Sequence, residues 1–523
     1  MRFLFILAIL LAILLAGGRL MAAPTLGSKT LVVYNLNDAD SASLAKYYAA
    51  RRGIPDSQVL GLKCNPDAEE ISRDEYDTTI AEPLRAAFTA NDWWEVSDNR
   101  LAPPVVIKNR IRYVALIRGM PLKVREKSVY DGDKPDHNTP YGPVNGCSVD
   151  SEIAVLGKMT RQISGPLANP YYENYDRFDA VELPQYMLVC RLDGPTPDDV
   201  KRMIDESLRA ETSGLFGWVL LDQRGTNLPG YKIGDDWLKA AGQHFRKRGF
   251  PIFTDSVEAI LPTGLPMPRT AIYLGWYSGD IGGAFTGNGV RFVPGAIACH
   301  IHSFSASTLR SRSIGWCGPL ISAGADAVLG NVYEPYLTLT SNLDVFTERL
   351  LRGYTLAESA WASSRTVSWM NVVVGDPLYR PYAVFNNSDT SYGSEFEKYH
   401  QSAASNVVDF NTGFMAEAWA QRRMAEGDDQ SADFLFQQAL KKYKEPDSLA
   451  RVAWSYSQFL LARNHKPAAI SILKEEEAKI RGDSGSGFLL TRILELEPPK
   501  PAITPTPTPL INPSEPPALY QRK

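Results

Sequence analysis

Short runs of consecutive apolar residues recur between residues 30 and 374, each closed by polar or turn-forming residues. They fall at 30–34 (TLVVY), 58–62, 113–117 (YVALI), 186–190, 217–221, 251–254, 271–275 (AIYLG), 295–299 (GAIAC), 326–330 (DAVLG) and 369–374. Each has the length and continuity of a strand buried on both faces. Helical patterns separate many of them, at 72–91, 235–248, 343–351 and 355–364. Asp40 or Ser41 is placed to cap a helix reaching Arg52, with Gly53 and Pro55 to stop it. Thr196 caps another, with Pro197 at its first position and Asp198 and Asp199 in its first turn. Strand and helix in alternation predict an α/β fold: a mostly parallel sheet with helices on both faces. Residues 126–150 are polar and turn-rich and read as a long loop.

From about residue 414 the pattern changes to helical spacing, in four segments at 414–426, 430–443, 447–463 and 466–481. Ala432, Phe436 and Ala439 resemble the small and aromatic positions of tetratricopeptide units, and Ala468, Ile472 and Leu473 partly repeat them. A plain helical bundle is the other reading. The expected organisation is a leader over 1–23, an α/β domain over 28–390, a helical domain over 405–490, and a Pro-rich segment over 499–523 that should not pack. The helical domain offers a surface for a partner protein.

Composition narrows the function classes. A net charge of −4, with no concentrated basic patch, argues against nucleic-acid binding. Arg2, the apolar residues 3–16 and Leu20-Met21-Ala22 form a secretory leader, an uncleaved anchor being the alternative. No later segment has the length and apolarity of a membrane span. The protein is therefore expected to be exported, to the periplasm or the extracellular envelope. Five scattered cysteines show no metal spacing, and an odd number leaves at least one unpaired or joined to another chain.

Candidate chemistry gathers where three predicted strands end. After 271–275 come Trp276, Tyr277 and Asp280; after 295–299 come His300, His302, Ser303 and Ser305; after 326–330 come Asn331, Tyr333 and Glu334. Ligands of open α/β sheets bind outside the carboxyl ends of strands. Arg118, Asp222 and Arg310 are further candidates for the same rim. The Asn/Asp cluster at 35–40 reads as strand-end capping.

Three readings of this rim stand. In the first, Cys299 is a nucleophile and needs an imidazole to form its thiolate, but His300 points to the opposite face if the strand continues. In the second, His300 and His302 share a strand face and hold a metal with Asp222, Asp280 or Glu334. In the third, Cys299 is a small core residue, and the polar and aromatic rim binds a peptide, glycan or partner. No cofactor is expected.

At these residues the chain resembles the gingipain branch of caspase-like proteins. Ile297-Ala298-Cys299 is similar to the strand that ends in the gingipain nucleophile, residues 325–331 to a later small-residue strand, and Gly375-Asp376-Pro377 to the motif closing the catalytic region. The resemblance implies a three-layer caspase-like sheet. It also exposes a departure: where gingipains carry Gly-His-Gly, this chain has Gly275-Trp276-Tyr277-Ser278-Gly279, and indole cannot accept a proton from a thiol. The dyad is degenerate unless His300 or His302 substitutes. The stretches YNLNDADSASLAKYYAARRGIP, ALIRGMPL, GWYSGD, HIHSFSAS, GNVYEPYL and VVVGDPLYRP resemble an uncharacterised family from exosortase-encoding bacteria. That resemblance implies a role in envelope or extracellular-matrix biology and supplies no activity; the function expected here is recognition or processing of exported polypeptides.

Overall fold

A computed structural model describes residues 25–97, 103–127, 144–159, 165–248, 250–287, 289–383 and 412–498. The leader, most of the 126–150 stretch and the Pro-rich segment lie outside the described residues. What is described of that stretch near its end is a short buried strand, Cys147–Ser148, and a buried helix, Val149–Ala154, rather than loop.

Ten strands form the main sheet: β1 (Thr30–Asn35), β2 (Val59–Leu62), β3 (Tyr113–Ile117), β4 (Leu188–Leu192), β5 (Trp218–Asp222), β6 (Ile252–Asp255), β7 (Met267–Gly275), β8 (Val290–His300), β9 (Ala327–Asn331) and β10 (Asn371–Val374). Their order across the sheet is 6-5-7-8-9-10-4-3-1-2. The run from β6 to β9 is parallel, as is the run from β4 to β2, and β10 lies antiparallel to β9. The α/β class and the mostly parallel sheet are those the apolar runs predict.

Alternation along each strand builds two cores. Leu31, Val33, Ile297, Cys299 and Leu329 enter one, and Val32, Ala298 and Val328 enter the other. Helices α1 (Ala39–Arg52), α2 (Pro197–Ser213) and α4 (Cys317–Ser322) cover the second. Helices α3 (Lys232–Lys247), α5 (Leu343–Leu351) and α6 (Leu356–Ser363) cover the first. The cap of α1 is Asp38, not Asp40 or Ser41: its carboxylate accepts from the backbone N–H of both. Strand β4 runs two residues later than the 186–190 expectation, because Arg191 is neutralised inside it by Asp150 and Asp193.

Five helices, not four, form the C-terminal unit: α7 (Gly413–Glu426), α8 (Asp429–Lys442), α9 (Pro446–Leu461), α10 (Lys466–Lys479) and α11 (Ser486–Leu496). Gly482 and Gly485, both at positive φ, make the turn that the helical spacing alone does not reveal. The unit packs on the edge of the sheet, where Phe253 stacks on Trp454 and Trp218 meets Phe414 edge-on. Among the described residues no helix is long and apolar enough to cross a membrane.

Candidate functional site

The ends of β7, β8 and β9 open into a cleft of about 370 Å³, within the size range of small-ligand pockets. Trp276, Tyr277, His302, Ser303, Asn331 and Glu334, all expected at the rim, line it together. Three distant stretches of sequence are thus brought to one place.

Trp276 forms the wall on the α3 side. Its indole N–H donates to Asp235 Oδ1 at 2.7 Å, and Asp235 is fixed by the backbone N–H groups of Arg224 and Thr226. Gly234 makes room for the indole: a Cβ there would stand 2.6 Å from the ring. Tyr231 stacks over Trp276 and meets Tyr277 edge-on. Tyr277 in turn packs on the His302 ring at 4.8 Å. Tyr231, Tyr277 and Tyr336 leave 41%, 43% and 41% of their surface exposed. That is high for aromatic residues and marks an interaction surface.

The opposite wall is polar. Ser303 donates its hydroxyl to Glu334, whose other oxygen accepts from the Tyr336 N–H. The Asn331 amide donates to the His302 carbonyl and to Thr340 Oγ1, at 3.3 and 3.0 Å. His302 Nδ1 bonds the Ser303 carbonyl oxygen, which makes it a donor there.

Beneath the cleft runs a buried relay. Ser278 N–H donates to His300 Nε2 at 2.9 Å, so Nε2 is the bare nitrogen and Nδ1 carries the proton. Nδ1 meets Tyr273 Oη at 2.8 Å, and Tyr273 donates onward to Asp222 at 3.3 Å. Burial, and to a lesser degree His302, pushes the His300 pKa well down, so this imidazole is neutral. Burial and the neighbouring Asp255 raise Asp222 to about 8. His300 and Asp222 therefore hold the backbone that carries Trp276 and Tyr277, and face away from the cleft.

Cys299 lies on the other sheet face from His300, in the core with Ile297, Ile301 and Trp276. Burial raises its thiol pKa far above the ordinary range, and among the described residues its sulfur has no hydrogen bond. Both nitrogens of His300 are engaged elsewhere. Among the described residues no thiol–imidazole hydrogen bond is made, and no group of three or more His, Cys, Asp or Glu is arranged to hold a metal.

The remaining candidates lie outside the cleft. Asp280 accepts from Gly315 N–H, and buried Ser305 accepts from Asn331 N–H. Tyr333 donates to Glu70, and Arg310 lies 3.5 Å from Asp193 and 3.9 Å from Glu69. Arg118 bonds the Gly194 and Pro195 carbonyls, bracing two strand ends rather than facing an anion. Reading the sequence missed Tyr231, Tyr336 and Thr340. The pair Tyr333 and Tyr336 flanking Glu334 was the available signal for the second, and nothing local marked Tyr231, which enters from the start of α3. Comparison with protein-family models, with curated proteins and with solved structures finds no match to this chain.

Proposed function

We propose that this is an exported envelope protein whose cleft holds a segment of an exported polypeptide without cleaving it, on a caspase-like scaffold with a tetratricopeptide-like unit appended. The observation that carries this reading is the pairing of Trp276 and Tyr277. Trp276 stands in sequence where the resemblance to gingipains would put the base, and with Tyr277 it builds an aromatic wall. Aromatic rings supply contact area at low conformational cost. Glu334 and Ser303 supply acceptor oxygens for an extended backbone, while Asn331 and Thr340 bond each other and fix that wall. The burial of Cys299, with no imidazole bonded to it among the described residues, supports binding over thiol chemistry.

The test is a screen of the full chain against peptides tiled from exported proteins, scored for binding and cleavage. Binding should survive Cys299→Ala and fall at least about tenfold in Tyr277→Ala with Tyr336→Ala, as for anchor side chains worth more than about 1.4 kcal/mol. Peptide cleavage by the wild type that Cys299→Ala abolishes overturns the reading.

A further inference from the structure

We infer that the aromatic cleft is the docking site for the chain's own Pro-rich segment, residues 499–523, a step that rests on the cleft being a peptide site. Eight of those 25 residues are proline, with Thr-Pro repeated through Pro505, Pro507 and Pro509, and a Pro-x-x-Pro at Pro513–Pro516. Such sequences favour the polyproline II conformation, which aromatic-lined grooves bind because little order remains to be imposed.

The cleft offers what that recognition needs. Tyr231, Tyr277 and Tyr336 present rings to solvent in a cleft also lined by the Trp276 wall and Pro335. Charges of both signs stand at or near the rim, Arg224 lying 3.7 Å from Glu258. Arg224 lies over the Tyr231 and Tyr277 rings at 5.6 and 5.1 Å, and Glu334 stands on the far wall. The segment carries both signs too, with Glu515 beside its last prolines and Arg522 and Lys523 beyond them.

Placement supplies the reach. Helix α11 ends at Leu496, and its Arg492 is close enough to Asp255, at the carboxyl end of β6, to act on that carboxylate's charge. In the sheet order β6 is two strands from β7, whose end carries Trp276, a separation of about 10 Å at the usual strand spacing. At about 3.1 Å per residue, 25 residues of polyproline II reach roughly 78 Å. The last turn of α11 therefore lies on the side of the sheet where the cleft opens, and the length of the segment exceeds the separation.

The experiment uses the full chain with a photo-crosslinking residue replacing Leu510 or Leu519, irradiated at low concentration and mapped by mass spectrometry. The expected result is cross-links within one chain to peptides containing Tyr277 and Tyr336. These should drop at least about tenfold in Tyr277→Ala with Tyr336→Ala, and likewise when Pro505, Pro507, Pro509, Pro513 and Pro516 are all changed to Gly. Scattered cross-links, cross-links untouched by the tyrosine changes, or cross-links only between copies overturn the inference. A tiled-peptide screen on the Pro→Gly chain separates the two failures. Peptides captured at the cleft without any segment cross-link overturn this inference alone, whereas no capture by either route overturns the peptide-site reading as well.

Discussion

The imidazole of His300 lies flat on the indole of Trp316, with ring centroids 3.5 Å apart and planes 9° from parallel. Trp316 also donates its N–H to the Ser278 carbonyl, while Ser278 N–H donates to His300. The two rings therefore hold one residue, Ser278, by its N–H and its carbonyl, and that residue follows Trp276 and Tyr277. His300→Ala should cost about 2–4 kcal/mol, since it leaves a cavity and two unpaired polar groups. Urea unfolding measures it. A change under about 0.5 kcal/mol, the range of an ordinary surface substitution, would show that the relay carries no structural weight.

The same relay sets a pH dependence. Asp222 is raised in the fold to about 8 from an ordinary value of 3.8, so its contribution is complete below that ordinary value and is lost as pH rises through about 8. His300 acts in the opposite sense: it stays neutral in the fold, while the unfolded imidazole takes up a proton below about 6.5. The two oppose each other in acid, and above about pH 6.5 only Asp222 remains. Stability should therefore fall between about pH 6.5 and 8, and Asp222→Asn, which stays neutral, should flatten that slope. Denaturation midpoints at closely spaced pH values test it, an unchanged slope in the variant being the contrary outcome.

Gly234→Ala inverts the usual helix rule. Alanine in a helix interior ordinarily gains about 1 kcal/mol over glycine. Here the new methyl would meet the Trp276 ring at 2.6 Å, and overpacking of that kind costs about 1–3 kcal/mol. The variant should be less stable and should lose peptide binding together with the displaced indole. A gain in stability would mean that Trp276 yields freely.

How much of this was legible in the sequence follows from which forces act locally. Apolar runs such as 113–117 gave strands to the residue, because a strand buried on both faces needs no partner to declare itself. Thr196 and Pro197 announced α2 through capping chemistry that lies within four residues. Arg191 misled, since a charge inside a strand is stable only with Asp150 and Asp193, and one of these lies 41 residues away. The rim was legible as strand ends, and Trp276, His302 and Glu334 do meet in one cleft. Facing direction was legible only conditionally: alternation puts Cys299 and His300 on opposite faces if the strand continues, and β8 does continue through His300.

Cys299 should behave as a core thiol. Its pKa is raised by burial and its side chain is 4% exposed, so the thiolate that alkylating reagents require is scarce. In native protein at pH 8 its labelling should proceed only as fast as the surrounding core opens, and should accelerate with added urea as global unfolding does. Mass spectrometry of the labelled peptide reports the rate. Rapid labelling without denaturant, at the rate of a free thiol, would restore the nucleophile reading.

Trp454 ties the helical unit to the sheet. It stacks on Phe253 of β6 at 5.5 Å and 16°, while Phe414 and Arg451 close over Trp218 of the neighbouring strand. These residues enter the same apolar core as Leu220 and Tyr273, so the two units share one interior rather than touching across a solvated boundary. A shared core couples unfolding, whereas domains joined by polar contacts melt apart. The wild type should show a single cooperative transition. Trp454→Ala should cost about 3–5 kcal/mol, the usual range for a buried large aromatic, and should split the transition, the helical unit melting first. If calorimetry instead finds two transitions in the wild type, unshifted by Trp454→Ala, then the interface holds the units together without coupling them.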